Sequence, residues 1–277
     1  MAPAKFADFA RAPKDFFSAG WYDDKDVYQF KLTKKTAFQG VSVTSSLGNS
    51  AQKMTFKWPK PYDMPVNIDK AEFTLAGGAA KLVKVDLGLT EDLLRCPGLK
   101  LKVKGTSKTN YQQPVVDMDY THFADANLNG SFDVGTKAWN AGLAFQVSSV
   151  VLGAEVTSAA PTSPNLGLQF KHSGLLAAAY LTGLNPQKFE VYAKYAVTPA
   201  IEAAGKYVHS KESCAAGVGY KISPETEVKA SLHRDGAAQS ARFNIAHLVA
   251  AKFKVAVGGS FDVKYSKPTF DFAVQLD

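Results

Sequence analysis

The 277-residue chain carries a formal net charge of +7, with 46% hydrophobic and 21% charged residues, a balance that excludes intrinsic disorder and predicts a folded protein. No apolar run approaches the roughly 20 residues a membrane-spanning helix needs; the richest, Leu175 to Leu184, is broken by Gly and Thr. With Cys96 and Cys214 as its cysteines, neither a disulfide framework nor a multi-cysteine metal site is expected, and the charge alone leaves nucleic acid, an anionic membrane surface and an anion-attracting pore open.

The chain opens Met1-Ala-Pro-Ala-Lys-Phe6 and moves directly into Asp8, Arg11, Lys14 and Asp15. It lacks the apolar stretch of a secretory signal, so synthesis in the cytosol is expected, unlike that of a bacterial outer-membrane protein. Between Lys5 and Ser18, Phe6, Phe9, Pro13, Phe16 and Phe17 recur at helical spacing, with Lys5, Asp8, Arg11, Lys14 and Asp15 on the other side. This predicts an amphipathic helix within a first segment, residues 1–25, broken or bent at Pro13, where a donor is lost and the ring meets the preceding turn. Gly20 supplies a hinge before the first strand. Periodicity alone leaves open whether the helix lies on a membrane surface or folds into a pore.

From residue 26 to 277 the period changes to two. Tyr28, Phe30 and Leu32 alternate with Gln29, Lys31 and Thr33; Leu99, Leu101 and Val103 alternate with Lys100, Lys102 and Lys104. The same alternation places Trp139, Leu143 and Phe145 on one face, and it closes the chain with Phe270, Phe272, Val274 and Leu276. Strands are predicted near 27–34, 40–47, 53–58, 68–76, 81–89, 98–105, 113–120, 128–135, 139–147 and 151–157. Further ones are predicted near 165–172, 175–182, 188–196, 200–208, 214–221, 227–233, 240–248, 253–263 and 269–276, about nineteen in all. The segment 175–182 is apolar on both faces and also reads as a short buried helix, and the stretch with Pro59, Pro61 and Pro65 reads as a loop.

So many half-apolar strands, with almost no helical segments between them, predict an all-β membrane-spanning barrel whose apolar face meets lipid and whose polar face meets water. Closure satisfies every backbone group and removes the sheet edges. Lys100, Lys102 and Lys104 all lie opposite the leucines, as expected when a lysine in mid-bilayer lipid costs roughly 2–4 kcal/mol. A soluble β-rich protein with solvated lysine faces, binding anionic ligands, is the alternative. His122, His172, His209, His233 and His247 lack metal-ligand spacing, and no phosphate-cradling loop or nucleophile elbow is present. No enzymatic activity, cofactor or metal is therefore expected.

Particular residues carry a family resemblance over essentially the whole chain. Phe6-Ala-Asp-Phe9 followed by Arg11, Lys14-Asp15, Phe17 and Gly20 is similar to the N-terminal segment of the voltage-dependent anion channels, the eukaryotic porins. Pro97-Gly-Leu-Lys-Leu101 resembles the Gly-Leu-Lys element that starts a mid-barrel strand of that family, with Asp117-Met-Asp119 after it. Tyr220, Pro224, Thr226, Ala230 and Leu232 follow the spacing of the eukaryotic porin signature, although Ser223 replaces its acidic residue and Ser231 stands where Lys or Arg is preferred.

The resemblance implies a barrel closed by parallel pairing of its first and last strands, with the termini meeting around Val27 and Leu276 and the helix inside the pore. Barrels of this family are known to have nineteen strands, so the count agrees with an existing answer. It implies an integral protein of the mitochondrial outer membrane, inserted into the lipid bilayer by the barrel-assembly machinery. Phe270 to Leu276 is similar to the signal that machinery reads, without its preferred glycine. The implied function is a voltage-gated, weakly anion-selective diffusion pore for ions and small metabolites including adenine nucleotides. Arg11, Lys14, Lys31, Lys100, Lys102 and Lys104 are the residues expected to attract chloride, phosphate and nucleotides. A homo-oligomer is compatible with this reading, and no nucleic acid is expected as a specific ligand. A protein-translocase pore is the related alternative; its acidic lumen contrasts with the basic wall here.

Overall fold

The computed structural model describes residues 3–18, 28–35, 40–48, 52–59, 61–76, 79–89, 91–109, 111–250, 253–262 and 268–276. The period-two segments form β1 (Tyr28–Lys35), β2 (Ser42–Gly48), β3 (Gln52–Trp58), β4 (Val66–Ala76), β5 (Ala79–Leu89), β6 (Leu99–Thr106) and β7 (Val115–Tyr120). They continue as β8 (Ala126–Asp133), β9 (Trp139–Val147), β10 (Val150–Thr157), β11 (Ala160–His172), β12 (Leu175–Leu181) and β13 (Phe189–Ala196). The last are β14 (Ile201–Val208), β15 (Ser213–Lys221), β16 (Thr226–Asp235), β17 (Ala238–Ala250), β18 (Phe253–Asp262) and β19 (Pro268–Leu276). Each coincides with a predicted strand. The doubly apolar segment at 175–182 is strand β12, not a helix, and the proline stretch is a connection containing the tight turn Pro61–Asp63.

Consecutive strands pair antiparallel, and β1 pairs parallel with β19, so the nineteen-stranded sheet returns on itself. An odd number of strands in a closed sheet of antiparallel neighbours forces one parallel pair. The register matches Tyr28 with Phe272 and Leu32 with Leu276. This corrects one expectation: strands that run the same way start at the same rim, so Leu276 lies beside Leu32, past the middle of β1, and not beside its start. Val27 itself lies outside the described residues, as does the hinge Gly20.

The alternation sorts side chains as expected. Leu143 and Phe145 are 46% and 48% exposed on the outer surface, while Ala144 between them is buried inside. Polar Asn127, Gln169, Ser231 and Asn244 are buried on the inner side. The clusters of buried apolar side chains lie where the N-terminal segment meets the inner wall: Phe6, Phe9, Ala10, Ala144, Val151, Ala178 and Tyr192 in one, Phe16, Phe17, Ala204 and Ala215 in the other. The amphipathic segment is therefore inside the barrel.

That segment is a short 3-10 turn, Phe6–Asp8, followed by helix α1, Arg11–Ser18. The break falls at Phe9 and Ala10, ahead of the predicted position. Pro13 sits in the first turn of α1, where a missing N–H is tolerated, and Lys14 donates to the carbonyl of Ala10 at 2.9 Å to close that turn.

Candidate functional site

The inner wall is built to receive the N-terminal segment. Gly153 of β10 and Gly167 of β11 are register partners, and a Cβ on either would come within 2.8 Å or 2.6 Å of the rings of Phe9 and Phe6. Bare backbone at this pair gives the two rings a seat. Phe16 sits likewise over Gly217 of β15, where a Cβ would lie 2.7 Å from its ring. Lysines line the second seat, with Lys229 at 5.6 Å and Lys194 at 6.0 Å from the Phe16 ring and Lys206 at 5.6 Å from that of Phe17.

The break between the turn and α1 is occupied by the wall. In a continuous α-helix the N–H of Ala10 would donate to the carbonyl of Phe6. Here the hydroxyl of Tyr180 on β12 stands between them, accepting from Ala10 at 2.8 Å and donating to Phe6 at 3.2 Å. Because Pro13 has no N–H, the carbonyl of Phe9 is left over, and Gln169 Nε2 on β11 donates to it at 2.7 Å. The Phe6 carbonyl also takes the N–H of Phe9 at 3.3 Å in the 3-10 turn, so the groups the break strands are the Ala10 N–H and the Phe9 carbonyl, and neighbouring strands satisfy both.

Charges on the inner surface are zoned. On β4 to β7 the register places Lys70, Lys81, Lys84, Lys100, Lys102 and Lys104 among Asp69, Glu72, Asp86, Asp117 and Asp119, so that carboxylates offset all but one of the lysines. Lys102 reaches Asp69 at 2.7 Å, Lys84 reaches Asp86 at 3.4 Å, and Lys104 pairs with Asp117. The Lys102 contact spans two strands. A register irregularity between Ile68 and Lys70 turns Asp69 inward beside Lys70, and Gly88 on the intervening β5 leaves room for its carboxylate, 3.1 Å from where a Cβ would stand. By contrast β1, β2 and β3 contain lysines and no carboxylate, with Lys31 and Lys53 both in register with Ser46, and Lys57 with Ser42. A polar cavity of about 470 Å³ lies between these sectors, lined by Ser42, Lys57, Asn67, Asp69 and Lys102 among others.

The residues singled out from the sequence are accordingly dispersed. Arg11 is on the open side of α1, 71% exposed between Asp8 at 3.9 Å and Asp15 at 3.8 Å. Lys14 instead turns to the wall, its ammonium 5.0 Å and 4.7 Å from the rings of Tyr180 and Tyr192. Lys100 is exposed opposite Asp119, which itself binds Lys5 at 2.9 Å. Lys102 and Lys104 are held by carboxylates, and for Lys31 the backbone register alone is described. Sequence reasoning missed Tyr180, Gln169 and the glycine seats, and it overlooked the carboxylate partners. The signals were present: β12 is apolar on both faces because Phe6, Phe9 and Ala10 cover its inner one, and Asp117 and Asp119 share a face across Met118. Among the described residues no group of His, Cys, Asp and Glu side chains is placed to hold a metal ion.

The family model for eukaryotic porins matches residues 2–272. Among solved structures, a triple mutant of the Rhodopseudomonas blastica porin is similar at 9% identity and a TM-score of 0.48, covering 88% of this chain and 94% of that one. The outer-membrane protein OmpT of Vibrio cholerae is similar at 8% identity and a TM-score of 0.39, covering 84% of this chain and 83% of that one. No curated protein sequence matches the chain.

Proposed function

We propose that this chain, which belongs to the eukaryotic porin family and is a diffusion pore spanning an outer membrane, is the voltage-gated, weakly anion-selective pore of the mitochondrial outer membrane. Its permeants in this reading are chloride, phosphate and small metabolites including adenine nucleotides. The observation that carries it is the charge zoning of the lumen: β1 to β3 carry lysines without carboxylates and adjoin a wall on β4 to β7 whose lysines are largely offset by carboxylates, so the net fixed charge of this sector is positive. Arg11, Lys14, Lys31, Lys100, Lys102 and Lys104 all add to that field, and Lys53 and Lys57 join them. Selectivity in a wide lumen follows the sum of charges, not the freedom of any one lysine.

Reversal potentials in planar bilayers under a salt gradient test this. The wild-type pore is expected to favour chloride. Lys53→Gln with Lys57→Gln removes two positive charges and should move the reversal potential toward the cation side. Asp69→Asn with Lys102→Gln removes a neutral pair and should leave it in place. A cation-selective wild type, or a larger shift from the neutral pair than from the two lysines, overturns the assignment. The N-terminal segment docked on β9 to β15 is the element whose release would narrow or reshape the lumen under voltage.

A further inference from the structure

The lipid-facing side of the barrel is apolar with few exceptions. Among the described strand residues, the charged side chains that the register places outward are Lys34 on β1 and Arg234 on β16, near opposite rims. A cation on this face is tolerated at the membrane interface, where it costs about 0–1 kcal/mol, and not at mid-bilayer. Arg234 also adjoins a cavity. A space of about 280 Å³ opens on the outer wall between Cys214, Ala216, Leu232, Arg234 and Gln239. Ala215 and His233 line it as well, and since their side chains turn inward toward Phe16 and Phe17, they contribute main chain.

The row of outward residues explains the hollow. Gly205, Ala216, Leu232 and Ala241 are register neighbours across β14 to β17, and the leucine rises 64% exposed between smaller residues. A Cβ on Gly205 would meet nothing nearer than 3.9 Å, so the trough is open toward β14. At its head the guanidinium of Arg234 is steadied by one hydrogen bond, Nε to the carbonyl of Gly236 at 3.1 Å, which leaves its other N–H groups to a ligand. Tyr207, with its hydroxyl on the ring of His209 at 3.0 Å, flanks this end, and Lys211 lies exposed in the adjoining turn.

We propose that this niche binds one anionic phospholipid, with a headgroup phosphate on Arg234 and an acyl chain along Ala216 and Gly205 against Leu232. A fixed cation above an apolar trough, at the depth where headgroups meet chains, matches both halves of such a lipid. A zwitterionic lipid fits less well, because its own ammonium competes for the phosphate that the guanidinium would take.

Native mass spectrometry of the barrel released from vesicles of equal phosphatidylglycerol and phosphatidylcholine tests the assignment. The wild-type chain is expected to retain one phosphatidylglycerol through detergent exchange. Arg234→Gln, and separately Ala216→Phe, which fills the trough and keeps the charge, should each lower that retention about tenfold, the factor equivalent to 1.4 kcal/mol. Lys34→Gln should leave it unchanged. In a Cys96→Ser chain, maleimide labelling of Cys214 should also slow when phosphatidylglycerol replaces phosphatidylcholine. Equal retention of the two lipids, or equal losses in the Arg234 and Lys34 variants, overturns the proposal. Conductance of the Arg234→Gln pore is expected to match the wild type, which separates loss of the lipid site from loss of the channel.

Discussion

The hydroxyl of Tyr180 does the work of a missing helical hydrogen bond. It accepts from Ala10 and donates to Phe6, which joins residues 170 or more positions apart in sequence. Removing it leaves the Ala10 N–H without an acceptor in a half-buried place, at a cost of about 1–3 kcal/mol, unless the segment leaves the wall or rewinds, while the Phe6 carbonyl keeps the N–H of Phe9. Tyr180→Phe should therefore raise hydrogen exchange of the Ala10 amide by roughly tenfold or more in detergent micelles, with the strand amides of β12 unaffected. Unchanged protection would show that the ring contacts alone hold the segment. The ion pair of Lys102 with Asp69 is a different case. Its side chains are 40% and 32% exposed, and pairs of that kind contribute little to stability, so removing both partners together should leave the melting midpoint as well as the reversal potential nearly unchanged.

Pro13 and Gln169 act together at the scale of the element. Proline withholds the N–H that would have capped the carbonyl of Phe9, and the wall glutamine takes its place at 2.7 Å. Pro13→Ala restores a local donor to that carbonyl, so the two substitutions should not be additive. Gln169→Leu is expected to loosen the segment in the wild-type background and to do so by about 1 kcal/mol less when Pro13 is alanine. A double-mutant cycle on segment protection, showing additivity, would remove Pro13 from this account.

The strands were legible because period-two alternation is imposed on every one of them by lipid outside and water inside. Where alternation failed, a second constraint was acting. β12 is apolar on both faces because Ala178 and Tyr180 meet Phe6 and Phe9, so the apparent misfit marked the docking site. At Asp69 and Lys70 the irregularity in β4 turns two successive charged side chains inward, and strict alternation could not show it. The helix break was misplaced for a related reason. A proline in a first turn leaves a helix intact, while a hydroxyl from a strand that is remote in sequence decides where the backbone opens. Contacts between distant segments leave composition, but not partners, in the sequence.

At the scale of the whole molecule, closure makes the barrel a single cooperative object. The lumen, the seat for α1 and the outward trough all exist because the sheet has no edge, and that depends on the one parallel seam between β1 and β19. The seam should accept a staple. Gln29 and Ala273 are register partners there, at a spacing that a disulfide can bridge, whereas Gln29 and Gln275 are offset by two residues along the strand, about 7 Å. With Cys96 and Cys214 replaced by serine, Gln29→Cys with Ala273→Cys should oxidise to a cross-linked chain of unchanged single-pore conductance. Gln29→Cys with Gln275→Cys should stay reduced. Because the bond would enclose nearly the whole sequence, it should also stabilise the folded state by up to about 5 kcal/mol, read as a higher midpoint of heat denaturation in detergent. Cross-linking of the offset pair in preference to the matched one would mean that the seam is shifted in register by two residues, a change that keeps the face β1 presents to the lumen but alters the stagger with which the barrel closes.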